Sequence, residues 1–173
     1  MIKKFLIIAV MAVSFTSVCN AQNIERLSEQ EINACETPHS VAYNFVMSII
    51  NQDYTKMESL MTSEYLNEMK EGLKKEGITW AKLFSSEYVH DIVEMRPVIK
   101  IGYSVVITDF YVTDTDKFYG MYGEKSPYSG MPAFSVFFNC ADSQDNIYFG
   151  DYDTTARILL VEKNGKWQVF AFK

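Results

Sequence analysis

The sequence predicts an α+β fold in which N-terminal helices pack on a curved antiparallel sheet of about four strands. Apolar residues before Pro97 recur at the 3.6-residue period of amphipathic helices, and those after it alternate with the two-residue period of strands. Helices followed by an antiparallel meander are typical of the α+β class. The chain has 173 residues, of which 48% are hydrophobic and 22% charged. This composition excludes a disordered chain, a collagen-like fibre and a coiled coil.

The first 21 residues have the pattern of an export signal. Lys3 and Lys4 precede an apolar run over residues 5–15, and Ala21 completes a cleavage site that leaves Gln22 as the new N-terminus. The apolar run is shorter than the roughly 20 residues that span a bilayer. We therefore expect a periplasmic or secreted protein without a transmembrane segment. In an alternative interpretation Cys19 is lipidated and anchors the protein to a membrane.

The charge balance excludes one class of partner. Removal of residues 1–21 takes away two lysines and no acidic residue, which leaves 14 basic and 22 acidic residues and a formal charge of −8. Nucleic-acid binding needs a surplus of lysine and arginine, so we expect no nucleic-acid partner. The partner is instead an unidentified small molecule or protein, and we expect no metal and no cofactor.

Two cysteines remain after cleavage, Cys35 and Cys140. Export permits a disulfide between them, and two buried free thiols are the alternative. Two cysteines without a nearby pair of histidines do not form a zinc site.

Capping residues predict where each helix of the N-terminal half begins and ends. Residues 22–36 are polar and predict a flexible lead, with a helical turn around residues 28–33. Thr37 and Pro38 then start the first long helix as N-cap and first helical residue. Ser40 stands where a capping box usually has Glu, so we expect an incomplete box. The remaining predicted helices are a short one capped by Asp53, one over residues 63–76 ended by Gly77, and one over residues 80–95 closed by Pro97.

Four strands follow in the second half. They are predicted at residues 99–108, 133–140, 147–163 and 166–172. Residues 113–132 contain five Gly and Pro and predict a long loop. Asn164-Gly165 is a strong signal for a two-residue hairpin between the last two strands. With no repeat and no linker, residues 37–173 form a single predicted domain.

Three short stretches of the sequence resemble the nuclear transport factor 2-like superfamily. Residues 37–42 (TPHSVA) with Phe45, and residues 51–54 (NQDY), are similar to the "TPE-x-VA-x-x-F" helix and "GDY" turn that often open these domains. Residues 163–167 (KNGKW) resemble their last hairpin. The closest likeness is to small exported bacterial members of unknown function, over most of residues 37–172. This resemblance implies a cone with a pocket between helices and sheet, and it bears on fold more than on function.

The resemblance makes Asp109 a candidate general base. If the strand alternates regularly, Asp109 faces the helices together with Tyr103 and Tyr111. Steroid-isomerase-like members of the superfamily use an Asp and a Tyr in such a pocket, where burial raises the carboxyl pKa and a tyrosine stabilises an oxyanion. Alternatively, one β-bulge turns Asp109 to solvent.

The glycine-rich loop and one arginine supply candidate ligand-binding residues. The loop carries Phe118, Tyr119, Tyr122 and Tyr128, which either stack on a sugar, peptide or protein partner or pack into the core. Arg157 alternates with Ile158 and Leu160 and therefore faces away from them. It either binds an acidic ligand or pairs with an aspartate across the sheet.

These observations leave three functions open. The leading hypothesis is an exported, non-catalytic binding or interaction module. The second is an isomerase- or dehydratase-type enzyme that uses Asp109 with a tyrosine. The third is a protein-interaction or immunity-like protein that acts through its sheet face, which predicts an exposed apolar face and a homodimer.

Overall fold

A computed structural model describes residues 24–85 and 91–172 of the chain. The predicted export signal and Cys19 lie outside the described residues. Within them, seven helices and a four-stranded antiparallel sheet form an α+β fold, as predicted. The helices are α1 (Glu29–Ala34), α2 (Pro38–Ile50), α3 (Tyr54–Ser59), α4 (Ser63–Glu76), α5 (Trp80–Leu83), α6 (Asp91–Lys100) and α7 (Thr115–Gly120). The strands are β1 (Ser104–Val112), β2 (Ala133–Ala141), β3 (Ala156–Lys163) and β4 (Lys166–Phe172).

The sheet is a meander in the order β1-β2-β3-β4. The two-residue hairpin predicted between β3 and β4 turns at Asn164 and Gly165, both with the positive φ (55° and 72°) of a type I′ turn. The register of β1 on β2 shifts between Ile107 and Asp109. Such a bulge reverses the side that the following residues face.

The two faces of the sheet are covered differently. The inner face packs on α2 and the other helices through a large core that includes Phe45, Ile49, Phe138 and Ile158, all fully buried. On the outer face, α7 and residues 121–132 cover only part of the sheet through a smaller cluster. This cluster consists of Tyr128, Ala133, Leu159, Val161 and Phe170.

The prediction that Pro97 ends the helices is wrong. Pro97 lies inside α6, which continues to Lys100, and β1 starts at Ser104 rather than residue 99. A proline removes one helical hydrogen bond. The helix persists because Ile92, Met95 and Val98 form one buried face.

The N-terminal lead is held at several points. Ser28 caps α1 with a complete capping box, and the Glu25 backbone forms an antiparallel bridge with Ile107. Asn44 Nδ2 donates to the carbonyl of Ile32 at 2.7 Å and ties α1 to α2. Residues 24–36, predicted as a flexible lead, thus contact both β1 and α2.

Three further local predictions need correction. Ser40 does complete the capping box of α2, because its hydroxyl accepts from the Thr37 N–H at 3.1 Å. The predicted loop at residues 113–132 contains α7, which Asp114 caps. Residues 147–155 are irregular, so β3 starts at Ala156.

Candidate functional site

The three predicted catalytic residues do not share the inner face of the sheet. The bulge turns Asp109 away from the helices to a position opposite Phe137, where it is exposed. Tyr111 follows on the same outer face, and its ring packs on Phe137 with centroids 5.4 Å apart. Tyr103 precedes β1 and packs instead on Tyr148, at 5.3 Å. Regular alternation, the condition for an inward Asp109, therefore fails, and Asp109 takes the alternative position in which a β-bulge turns it to solvent.

Core side chains fill the space between the helices and the inner face. Phe45, Ile49, Met95, Phe138 and Leu160 have no exposed surface there. In the described part of the chain, this space is a packed core rather than the pocket that the family resemblance implies.

Most of the predicted loop aromatics are structural. Phe118, Tyr119 and Tyr128 surround Phe170 with ring centroids 5.7, 6.2 and 5.3 Å away. The Tyr128 hydroxyl shares a hydrogen bond with Thr62 at 2.7 Å. Burial raises the pKa of both Tyr119 and Tyr128. Tyr122 is the exposed member of the set.

The three arginines of the chain have different partners. Arg26 forms an ion pair with Asp145 at 2.8 Å. Arg96 donates to the carbonyls of Ile49 and Ile50 at the end of α2, and to that of Phe84 after α5. Arg157 is the exception, because no carboxylate of the described residues lies within 4 Å of it. The predicted pair with an aspartate across the sheet is therefore not formed.

Two aromatic rings and one hydroxyl hold Arg157 on the outer face. Its guanidinium carbon lies 5.5 Å from the centroid of the Tyr111 ring and 5.4 Å from that of Phe137. Contacts of this kind stabilise a cation by about 0.5–2 kcal/mol. Arg157 Nε and Nη2 both donate to Ser135 Oγ, at 3.2 and 2.9 Å. The guanidinium is thus fixed in position without neutralisation of its charge.

Ser135 forms the base of this arrangement. It is fully buried in β2 and shares a hydrogen bond with Thr113 Oγ1. Its oxygen already accepts two N–H groups from Arg157, so its own hydrogen is donated to Thr113. This network uses one edge of the guanidinium. The terminal edge, with an N–H on each of Nη1 and Nη2, makes no hydrogen bond to the described residues.

We call these residues the arginine site: Tyr111, Thr113, Ser135, Phe137 and Arg157. A planar fork of two N–H groups matches the two oxygens of a carboxylate, which is the bidentate pairing that arginine favours. Phe137, Ser135 and Thr113 are not predicted from the sequence. The outward positions of Ser135 and Phe137 in β2 are the signal that would identify them once the strand register is known, and Thr113 directly follows β1.

The cysteines lie apart from this site. Both are free thiols, with Cys140 buried on the inner face and Cys35 at the end of α1. Burial raises the pKa of Cys140 to about 12. Residues 24–85 and 91–172 hold no cluster of three or more His, Cys, Asp or Glu side chains arranged to bind a metal ion.

Comparisons with family models, with curated proteins and with solved structures found no match to this chain. The resemblance to nuclear transport factor 2-like domains stays a prediction. None of the described helices has the length and apolar character that a membrane crossing requires.

Proposed function

We propose that the protein is an exported, non-catalytic binding module whose arginine site holds a carboxylate-bearing ligand. The observation that carries this proposal is the fixed guanidinium of Arg157 with an unused terminal edge. Arginine loses side-chain entropy whenever it is ordered. Here that entropy is lost on folding, so a ligand meets a pre-organised binding group.

Charge supports an anionic ligand. The chain without its predicted signal has 22 acidic residues, yet none of the described carboxylates neutralises Arg157. Hydrogen bonds to a charged group contribute about 1.5–3 kcal/mol, roughly twice as much as neutral ones. A carboxylate on the terminal edge of Arg157 gains this energy without breaking an internal ion pair.

Thermal unfolding in sodium benzoate tests the proposal. Benzoate offers a carboxylate for Arg157 and a ring for Tyr111 and Phe137. A ligand at ten times its Kd stabilises the folded state by about 1.4 kcal/mol, which raises Tm by about 3–6 °C in a chain of this size. Sodium chloride at the same ionic strength is the reference.

Two variants make the test specific. In Arg157→Gln we expect benzoate to give no increase in Tm over chloride. In Arg26→Gln, which removes the arginine paired with Asp145, we expect the full increase. An equal increase in Arg157→Gln, or none in the wild-type protein, would contradict the proposal.

A second candidate function is self-association through β1, which is an edge strand. Phe110, Tyr111 and Val112 are consecutive there and are 49%, 42% and 73% exposed. Exposed apolar edges favour pairing with another strand. This function predicts a dimer in analytical ultracentrifugation that Val112→Lys dissociates, and a wild-type monomer would count against it.

The enzyme alternative finds less support in the geometry. It requires Asp109 and a tyrosine to converge in an enclosed pocket. Asp109 is exposed opposite Phe137, whereas Tyr103 packs on Tyr148. The arginine site is therefore the better basis for a function.

A further inference from the structure

We propose that Thr113 is a positioning residue of the arginine site: it accepts the hydroxyl hydrogen of Ser135 and so keeps both lone pairs of that oxygen for Arg157. This inference rests on the proposed function and adds a residue that affects the ligand only through Ser135. It follows from the direction of the hydrogen bond between the two hydroxyls, the fixed location of the Thr113 oxygen and the burial of Ser135.

The first feature is the direction of the hydrogen bond between Thr113 Oγ1 and Ser135 Oγ, which lie 2.5 Å apart. A serine hydroxyl has two lone pairs and one hydrogen. Arg157 Nε and Nη2 donate to Ser135 Oγ at 3.2 and 2.9 Å and occupy both lone pairs. The hydrogen of Ser135 therefore points to Thr113 Oγ1, which makes Thr113 the acceptor.

The second feature is the fixed location of the Thr113 oxygen. Thr113 directly follows β1, and its N–H donates to the carbonyl of Ala133 at 2.9 Å. The next residue, Asp114, is the N-cap of α7, so the backbone is held on both sides of the Thr113 side chain. Tyr111 pairs with Ser135, which makes Thr113 the diagonal neighbour of Ser135 across the two strands.

The third feature is the burial of Ser135, which has no exposed surface. Within residues 24–85 and 91–172, its side-chain hydrogen-bond partners are Thr113 and Arg157 alone. A buried hydroxyl hydrogen without an acceptor is destabilising. Without the Thr113 oxygen, we expect the Ser135 hydroxyl to turn toward another acceptor, which takes a lone pair away from Arg157.

The consequence for binding is a less ordered guanidinium. Arg157 would keep its contacts with the rings of Tyr111 and Phe137 but lose the hydrogen bonds that fix the direction of its free edge. The ligand then has to order this side chain, so its entropy is lost on binding rather than on folding. A cost of this kind weakens binding about two- to twelve-fold.

Two measurements on Thr113→Val test the proposal. This change replaces the hydroxyl by a methyl group of similar size. In 15N spectra of the ligand-free protein, we expect the Arg157 Nε–H to exchange with water about ten-fold faster than in the wild-type protein, or more, because its hydrogen bond is lost. In a titration with sodium benzoate, we expect the Kd to rise about two- to twelve-fold.

Two further variants serve as controls. Thr113→Ser retains the hydroxyl and is expected to recover both the slow exchange and the benzoate affinity. Thr115→Val removes another buried threonine hydroxyl, which donates to the carbonyl of Tyr128 at 3.1 Å. Both values should stay at the wild-type level in Thr115→Val, whereas a general loss of packing would change them there as well.

A double-mutant cycle shows whether Thr113 acts through Ser135. In Ser135→Ala the acceptor of Arg157 is already absent, so we expect the addition of Thr113→Val to change the benzoate Kd no further. The same loss in both backgrounds would mean that Thr113 acts independently of Ser135 and would overturn the proposal. If Thr113→Val does not fold, Thr113→Ala removes the same oxygen, with the same expected results.

Because the exchange measurement needs no ligand, the role of Thr113 and the proposed function fail separately. Wild-type exchange of the Arg157 Nε–H in Thr113→Val overturns the role of Thr113, even where the wild-type protein binds benzoate and the proposed function stands. A wild-type protein that does not bind benzoate contradicts the proposed function. Faster exchange in Thr113→Val would still support the positioning of Arg157 by Thr113.

Discussion

Ser135 is the residue that makes Arg157 available to a ligand. A buried hydroxyl must find partners, and this one is satisfied by Arg157 and Thr113 together. It fixes the guanidinium through a neutral oxygen, whereas a carboxylate at this position would have neutralised the charge. If an aspartate held the Arg157 guanidinium in place of Ser135, the two would form a structural ion pair and Arg157 would not be available to an anionic ligand.

The Cys140 thiol is expected to be unreactive in the folded protein. Burial raises its pKa to about 12, so at pH 8 it carries almost no thiolate, which is the reactive form. We expect iodoacetamide at pH 8 to leave Cys140 unmodified in the native protein and to modify it fully after unfolding in guanidinium chloride. Peptide mapping by mass spectrometry separates Cys140 from Cys35.

The same experiment decides between the two states of the cysteines. Free thiols predict that both Cys35 and Cys140 become modified after unfolding without a reductant. If modification requires a reductant, Cys35 and Cys140 are bridged, which contradicts the free thiols. Rapid modification of native Cys140 would show that its site is open to solvent.

At the scale of elements, the capping box of α2 makes a separate contribution to stability. Thr37 Oγ1 accepts from the N–H of Ser40, and Ser40 Oγ accepts from the N–H of Thr37, both at 3.1 Å. We expect Thr37→Ala to lower the free energy of unfolding by about 1 kcal/mol, the usual contribution of an N-cap. Urea unfolding of the two proteins measures the difference.

The control for this prediction is Thr37→Ser, which retains the hydroxyl. Its midpoint in urea should lie close to that of the wild-type protein, with the same m-value for both variants. If Thr37→Ala unfolds at the wild-type urea concentration, the box does not stabilise α2. Equal destabilisation by Thr37→Ser would assign the effect to the lost methyl group instead.

The sequence predicts accurately those helix ends and turns that depend on residues close together in the chain. The cap at Thr37, the end of α4 at Gly77 and the turn at Asn164-Gly165 all depend on residues within a few positions. The end of α6 depends on burial of Ile92, Met95 and Val98 by other elements. Local rules placed a boundary at Pro97, and tertiary packing overrode it.

At the scale of the whole molecule, the arginine site combines residues from three strands. Tyr111 and Thr113 come from β1 and the residue that follows it, Ser135 and Phe137 from β2, and Arg157 from β3. The outward direction of Arg157 is predictable from its alternation with Ile158 and Leu160. The partners are not, because the bulge before Asp109 changes which β1 residues face outward, and a sequence pattern does not reveal where a strand inserts one residue.

The proposed function depends on one claim, that Arg157 is positioned by its own chain and neutralised by a ligand. A crystal structure of the protein grown in sodium benzoate tests this claim most directly. We predict that Nη1 and Nη2 of Arg157 each donate to a benzoate oxygen, while Nε and Nη2 retain their hydrogen bonds to Ser135 Oγ. An ion pair between Arg157 and a carboxylate of its own chain, with no benzoate on the outer face, would contradict the claim.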